Sequence, residues 1–530
     1  MKATYIDYKE TNSFSPSLIR YLEHDPQLEP FISYPPTLNG FEKLLKNKKT
    51  LADRKILIEV LKEQYASILS NNKSSKVEKN IELLAIENTF TITTGHQLNI
   101  FTGPLYFIYK IVTAIKLAAD LKVKFPETNF VPIYWMATED HDFEEINHVF
   151  LSDKKIVWDF EAKGATGWLE TKTIIKAIQE YTGVLGLSSN SEKLANLIKE
   201  AYLKHPTLSE ATRFLVNGLF KDYGLVILDA GHSKLKKQFS SIIEQDILNQ
   251  NSFKQISLTK KELEKAGVEI QVNPREINFF YILDNLRERI IYKDGLYKVN
   301  DTSIAFDEIN LKEEITNHPE RFSPNVVMRP LYQEVILPNI AYIGGGAEII
   351  YWLELKNNFD FNKVDFPILI LRNSGLLTSE KVELKLKKLG INFTDLFKNS
   401  ESLKKEWVIN HSSHILDLKE EREEFTLIFE NIKSRVTQID STLGPSTEAV
   451  KARLHKAINN LEKKLIKAEK RNFTESLSQI ESIKNKLFPN GALQERTENF
   501  GLAFVENGDC FISNLMEAFK PLDFKFTILS

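Results

Sequence analysis

The chain has 530 residues, too many for one hydrophobic core and enough for two to four structural units. With 42% hydrophobic and 27% charged residues it has ordinary globular composition, and 69 Lys+Arg against 72 Asp+Glu leave a net charge of −3. That balance offers no basic excess for a nucleic-acid partner, no run approaches the ~18–20 apolar residues of a membrane span, and the single Cys510 excludes a disulfide framework or a cysteine-rich zinc site.

The N-terminal Met-Lys-Ala-Thr-Tyr-Ile-Asp-Tyr lacks the apolar core of a signal peptide, so a cytoplasmic protein is expected. Residues 1–88 read as a mainly helical segment with a turn at Ser33-Tyr-Pro-Pro36. Thr89-Phe-Thr-Ile-Thr-Thr94 is β-prone, Gly95-His-Gln97 breaks it, and Pro104 suits the first turn of a helix reaching about Leu121. Apolar residues cover most of that helix and leave Lys110, Thr113, Lys116 and Asp120 as a narrow polar stripe, so it should lie against a sheet. The apolar run Phe130–Ala137 completes a β-α-β unit.

Leu225–Leu228, Ala341–Ile343 and Ile368–Leu371 repeat the habit, apolar without alternation, as strands covered on both faces require. The expected fold class is α/β, a doubly wound core of mostly parallel strands over 89–375 with insertions at about 150–215 and 255–320. In such a core ligands gather beyond the carboxyl ends of the strands, and here those ends are polar or glycine-rich. Past about Leu376, apolar stripes on Ile415–Ile439 and Val450–Ile480 flank a turn at Leu443-Gly-Pro-Ser446. They predict an antiparallel α-helical coiled coil within 376–488, about 45–60 Å long. The tail 489–530 regains Phe500, Phe504, Phe511, Phe519, Phe524 and Phe526 and should pack back onto the core.

The polar residues crowd at Met136-Ala-Thr-Glu-Asp-His-Asp-Phe-Glu-Glu-Ile-Asn-His148, right after a buried strand. Asp142 with Glu145 three places on is a capping-box variant, and Glu144 and Glu145 suit a helix's first turn. His141 and His148, seven apart, could share a helical face and bind a metal, though the spacing matches no zinc motif. Glu139, Asp140 and His141 stand at the strand's carboxyl end, where they could hold an ammonium group or remove its proton. Thr94-Gly-His-Gln97 with Thr102-Gly103-Pro104 forms a strand–turn–helix start where an anion could bind: Gly95 allows close approach, His96 and Gln97 can donate. Gly344-Gly345-Gly346 ahead of Glu348 is a second such turn, without the Lys-Ser/Thr of a P-loop. Arg275, Arg329 and Arg372 are carboxylate clamps or structural ion pairs by type. No Gly-x-Ser-x-Gly elbow or cysteine nucleophile is present.

Thr94-Gly-His-Gln-Leu-Asn-Ile-Phe-Thr-Gly-Pro-Leu-Tyr-Phe-Ile-Tyr-Lys110 resembles the TGxQ…TGPLYxxxK segment of the cysteine-adding BshC family of bacillithiol biosynthesis. Glu139-Asp-His-Asp-Phe143 with Glu145-Ile-Asn-His148 is similar to its EDHDF…EINH signature. Arg329-Pro330, Leu337-Pro338 and Ala341-Tyr342-Ile-Gly-Gly345 with Glu348 follow its later block. The resemblance implies a Rossmann-like core with a coiled-coil domain, and a ligase that joins L-cysteine to glucosaminyl malate through an amide bond in the last step of that pathway. It implies catalytic roles for His96, Glu139, Asp140 and His141. Substrate or nucleotide contacts would come from Gly95, Gln97, Thr102, Gly103, Asp142, Arg329, Tyr342, Gly344, Gly345 and Glu348. ATP with Mg²⁺ is the implied energy source. His96 occupies the place of the last histidine of a HIGH motif in class I synthetases, but Thr93 stands where the first would be and no KMSKS loop follows, so acyl phosphate chemistry stays beside adenylation. The rival readings are a metal-dependent hydrolase using Asp140, His141 and His148, or a scaffold working through the coiled coil. The coiled coil could also mediate a homodimer.

Overall fold

The computed structural model describes residues 2–68 and 75–530. Its centre is a parallel sheet of five strands: Thr89–His96 (β1), Asn129–Met136 (β2), Val226–Asp229 (β3), Asn339–Gly344 (β4) and Ile368–Leu371 (β5). The spatial order is β5-β4-β1-β2-β3, every pair parallel. Strand order therefore reverses between β1 and β4, and this switch point opens a crevice at the strands' carboxyl ends. The apolar strands are buried on both faces: Ile92, Ile343, Ile368 and Ile370 pack with Leu117 and Leu121 of the helix Tyr106–Lys124 (α1). The Rossmann-like α/β class is as expected.

The polar stripe of α1 behaves differently from expectation. Lys110 and Thr113 are 2% and 0% exposed, because each finds polar partners inside. Lys110 reaches the carbonyl of Gly95, and Thr113 bonds across to the backbone of Asn373. Asn339 accepts from Thr91 and Thr93 hydroxyls, so the polar groups of β1 are satisfied by a neighbouring strand.

Between β3 and β4 the chain builds a five-stranded antiparallel sheet that includes Phe279–Leu283, Leu286–Lys293 and Phe322–Pro324. Between β2 and β3 it adds a short hairpin and helices, among them Leu208–Phe220. Arg329–Ile336 (α2) precedes β4 and Gly346–Leu353 (α3) follows it. Residues 493–530 belong to this same unit with 1–377: Lys525–Leu529 pairs antiparallel with Ala3–Asp7 and parallel with Gly375–Leu377. The N-terminal segment thus begins with a strand that its mainly helical pattern did not announce. Arg372, considered as a clamp, is buried in an ion pair with Glu495 at 2.7 Å.

The second unit, residues 378–492, is helical. Lys419–Ile439 and Gly444–Asn472 run antiparallel, tied by Arg422–Glu462 at 2.6 Å and Lys433–Glu448 at 2.5 Å. Their 21 and 29 residues make helices about 32 and 44 Å long, shorter than expected. The first starts only after the Ser412–Leu418 irregular stretch, and the second stops at Phe473, where a separate helix Thr474–Leu487 begins. Among the described residues no helix is long and apolar enough to cross a membrane.

Candidate active site

The carboxyl ends of β2 and β3 form the floor of a cavity of about 440 Å³. Its far wall is the inserted antiparallel sheet. The floor carries Glu139 and Asp140, and the walls carry Arg275, Arg287, Arg289 and Arg329. A dicarboxylate floor facing four guanidinium groups is a dipolar container. An amine is attracted to one side and carboxylates to the other.

Each floor carboxylate is held. Glu139, with 17% of its side chain exposed, sits 2.7 Å from the ammonium of fully buried Lys236. Burial pulls the Lys236 pKa down, and the Glu139 charge opposes that. Asp140 accepts the backbone N–H of His141 at 2.7 Å and the Gln97 amide at 2.8 Å. Burial works to raise its pKa, but bonds from His141 and Gln97 and the nearby Arg287 charge outweigh it, holding the carboxyl well below its ordinary value. Gln97 spans to Glu145 as well, tying the β1 turn to the acidic segment.

His141 leans over Phe280 and its Nδ1 meets Arg287 Nη1 at 2.7 Å. Arg287 stacks on Phe280 at 3.9 Å and donates to the Ser323 hydroxyl. Asp142 caps the short helix Phe143–Ile146 and turns into a separate shallow hollow shared with His141 and Asp159.

The switch point holds a second cluster. Arg329 on α2 lies 5.4 Å from the Tyr342 ring and 5.8 Å from Trp135, and its Nη1 bonds Gln333. Gly95 packs against it: a Cβ there would stand 3.6 Å from both Arg329 Nη1 and the Tyr342 hydroxyl. Tyr342 donates to Glu348, whose other oxygen takes Lys110 at 2.5 Å. Burial would raise the Glu348 pKa, yet Lys110 wins and the carboxyl is held below its usual value. Gly344 and Gly345 precede α3, whose first N–H groups have no acceptor within the helix. Those donors, with Lys110 and Arg329, match the charge of a phosphate group.

Four expected positions lie elsewhere. His96 turns away from the cavity and packs between Tyr106 and Phe107, at 5.3 and 5.1 Å. Burial, then the charges of Lys110 and Arg372, push its pKa well down, so it is a neutral ring with an unpartnered Nε2. Thr102 and Gly103 adopt positive φ in a buried loop whose carbonyls at Phe101 and Gly103 are bonded by Asn499. They shape the loop and do not line the cavity. His148 pairs with Asn147, and among the described residues no three His, Cys, Asp or Glu side chains are grouped to hold a metal. The hydrolase reading loses its ligand set.

Lys236, Arg287 and Arg289 were not singled out from sequence. Leu286-Arg-Glu-Arg289 has the two-residue period that puts both arginines on one face of a strand, but that strand's neighbours are unreadable without tertiary context.

Residues 1–373 match the family model described as Bacillithiol biosynthesis BshC, N-terminal Rossmann-like domain, and 375–530 the C-terminal coiled-coil domain of the same family. A protein of Flavobacterium psychrophilum is 46% identical over 533 residues, covering 100% of this chain and 99% of that one. One of Flavobacterium johnsoniae is 44% identical over the full length of both. One of Bacillus cytotoxicus is 28% identical over 92% of this chain and 94% of its own. All three carry the name "Putative cysteine ligase BshC".

Proposed function

Because the chain belongs to the BshC family of bacillithiol biosynthesis, we propose that it is a ligase joining L-cysteine to glucosaminyl malate through an amide bond, the last step of that pathway. The observation that carries this reading is the charge layout of the cavity. The acceptor has an amine at one end and two carboxylates at the other, and the cavity sets Glu139 and Asp140 against four arginines.

The malate carboxylates would sit on Arg275, Arg287 and Arg289, which project from the inserted sheet and its leading loop. The glucosamine nitrogen would face Glu139 and Asp140. Asp140 is held below its ordinary pKa and Glu139 is paired with Lys236, which suits binding an ammonium better than removing its first proton. The ammonium must first lose one proton to solvent; once the neutral nitrogen bonds to the acyl carbon it becomes far more acidic, and Asp140, the more exposed of the two, is placed to take the second proton. Cysteine's carboxyl would lie towards Gly95, with Arg329 opposing negative charge on its oxygens.

ATP, with Mg²⁺, would supply the leaving group that makes the cysteine carboxyl electrophilic. Gly344, Gly345 and the α3 N–H groups, with Lys110 and Arg329, would hold its phosphates. Neutral His96 would support the β1 turn beside them.

The test is mass spectrometry of full-length protein with L-cysteine and glucosaminyl malate, with and without ATP and Mg²⁺. Cysteinyl product only with ATP supports the ligase, and the AMP or ADP released separates adenylate from acyl phosphate. Folded protein that yields no product under either condition refutes it.

A further inference from the structure

Lys236 has a role that the proposed reaction does not use directly. It lies in the short helix Ser233–Lys237 that follows β3 and has no exposed surface. Its Nζ donates to Glu139 Oε2 at 3.0 Å and to the Phe322 carbonyl at 2.9 Å, and it lies 2.7 Å from Glu139 Oε1. The Tyr332 ring stands 5.3 Å away. The Lys236 side chain has no exposed surface, so it offers nothing directly to a ligand in the cavity and acts on Glu139.

Both oxygens of Glu139 lie within 3.0 Å of one nitrogen, so the carboxylate cannot rotate away without stranding a buried charge. The other Lys236 bond runs to the strand Phe322–Pro324, whose Ser323 and Pro324 line the same cavity. Glu139 is thereby fixed in place relative to the arginine wall.

We propose that Lys236 is a positioning residue that holds Glu139 as a fixed anionic seat for the amino group of the acceptor. This rests on the reading that the cavity takes an amino sugar with its amine at Glu139.

The experiment compares calorimetric binding of glucosaminyl malate and of its N-acetyl derivative to wild type, K236M, K236R and E139Q at neutral pH. Wild type should prefer the free amine by about tenfold to a hundredfold, the size of a hydrogen bond to a charged group. K236M and E139Q should lose that preference, to within about twofold, and K236R should restore part of it. A purely structural role for Lys236 would weaken both ligands alike.

If wild type shows no preference for the amine, the seating of the amine at Glu139 fails. If wild type prefers the amine and folded K236M keeps that preference, the role of Lys236 alone is overturned. Should K236M not fold, E139Q/K236M, which buries no lone charge, replaces it. Equal binding of both ligands by this double variant and E139Q supports the proposal, and a further selective loss of the amine ligand overturns it, since Lys236 would then touch the ligand itself.

Discussion

Arg287 places its Nη1 2.7 Å from Nδ1 of His141. A guanidinium only donates, so Nδ1 is the acceptor and the ring carries its proton on Nε2. The arginine wall thus sets the tautomer of a histidine in the acidic segment.

Replacing Arg287 by Met should raise KM for glucosaminyl malate about tenfold to a hundredfold, the equivalent of roughly 1.5–3 kcal/mol for a charged hydrogen bond. The effect on kcat should be smaller. R287K should not rescue it, because an ammonium cannot reproduce the fork that reaches His141, Ser323 and a carboxylate together. Steady-state kinetics decide, and an unchanged KM would remove Arg287 from the acceptor site.

Gly95 has room for a methyl group, which on the proposed reading would crowd the cysteine carboxyl. Its Cβ would meet Arg329 and Tyr342 at 3.6 Å, an ordinary contact, so G95A should fold with stability within about 1 kcal/mol of wild type. Turnover should fall by about tenfold or more, since small misplacements at a reacting centre are costly. Thermal melting and product formation, measured together, separate the two effects. Full activity in G95A would place the reacting carboxyl elsewhere.

Lys110 is 2% exposed and joins Glu348 to the Gly95 carbonyl. Loss of a fully buried partner costs about 3–5 kcal/mol. Glu348 keeps 28% side-chain exposure, so K110M should cost less, roughly 2–3 kcal/mol in urea denaturation. A cost near zero would mean that solvent already compensates Glu348.

Glu354 follows α3, is fully buried, accepts the Gln271 N–H at 2.7 Å and leaves Oε2 without a partner. Burial pushes its pKa up to about 7, with backbone N–H groups of Gln271 and Val272 only partly opposing. The folded chain therefore holds this proton more tightly than the unfolded chain does. The stabilisation is complete below about pH 4.3 and fades as pH rises through about 7. Across that window this group contributes a slope of up to about 1.4 kcal/mol per pH unit, which E354Q should lack. Denaturation of both proteins at several pH values checks it, and identical slopes would refute the assignment.

What could be read from sequence followed from local rules. The unbroken apolar runs at β2, β3, β4 and β5 revealed a parallel sheet because both faces of such strands are covered. Glu139 and Asp140 stood out because charge at a buried strand's end is rare. Gly95 and Arg329 were also named beforehand, and the structure brings them into contact range. What failed to show was set by distant chain. Lys110 read only as part of a narrow polar stripe because its partner Glu348 is far away in sequence. His96 looked cavity-facing because nothing in the turn says which side of the strand Tyr106 and Phe107 will cover. Arg372 gave no hint that Glu495 would claim it.

The pairing of Lys525–Leu529 with Ala3–Asp7 has a consequence for biosynthesis. A ribosome delivers the first strand of this unit long before the last, and Asn499 and Glu495 arrive late as well, although they brace the loop before α1 and the end of β5. Until Glu495 and the strand Lys525–Leu529 are made, a nascent chain carries an open edge at Ala3–Asp7 and an unneutralised Arg372. The first unit therefore closes only after every residue of the helical unit has been synthesised.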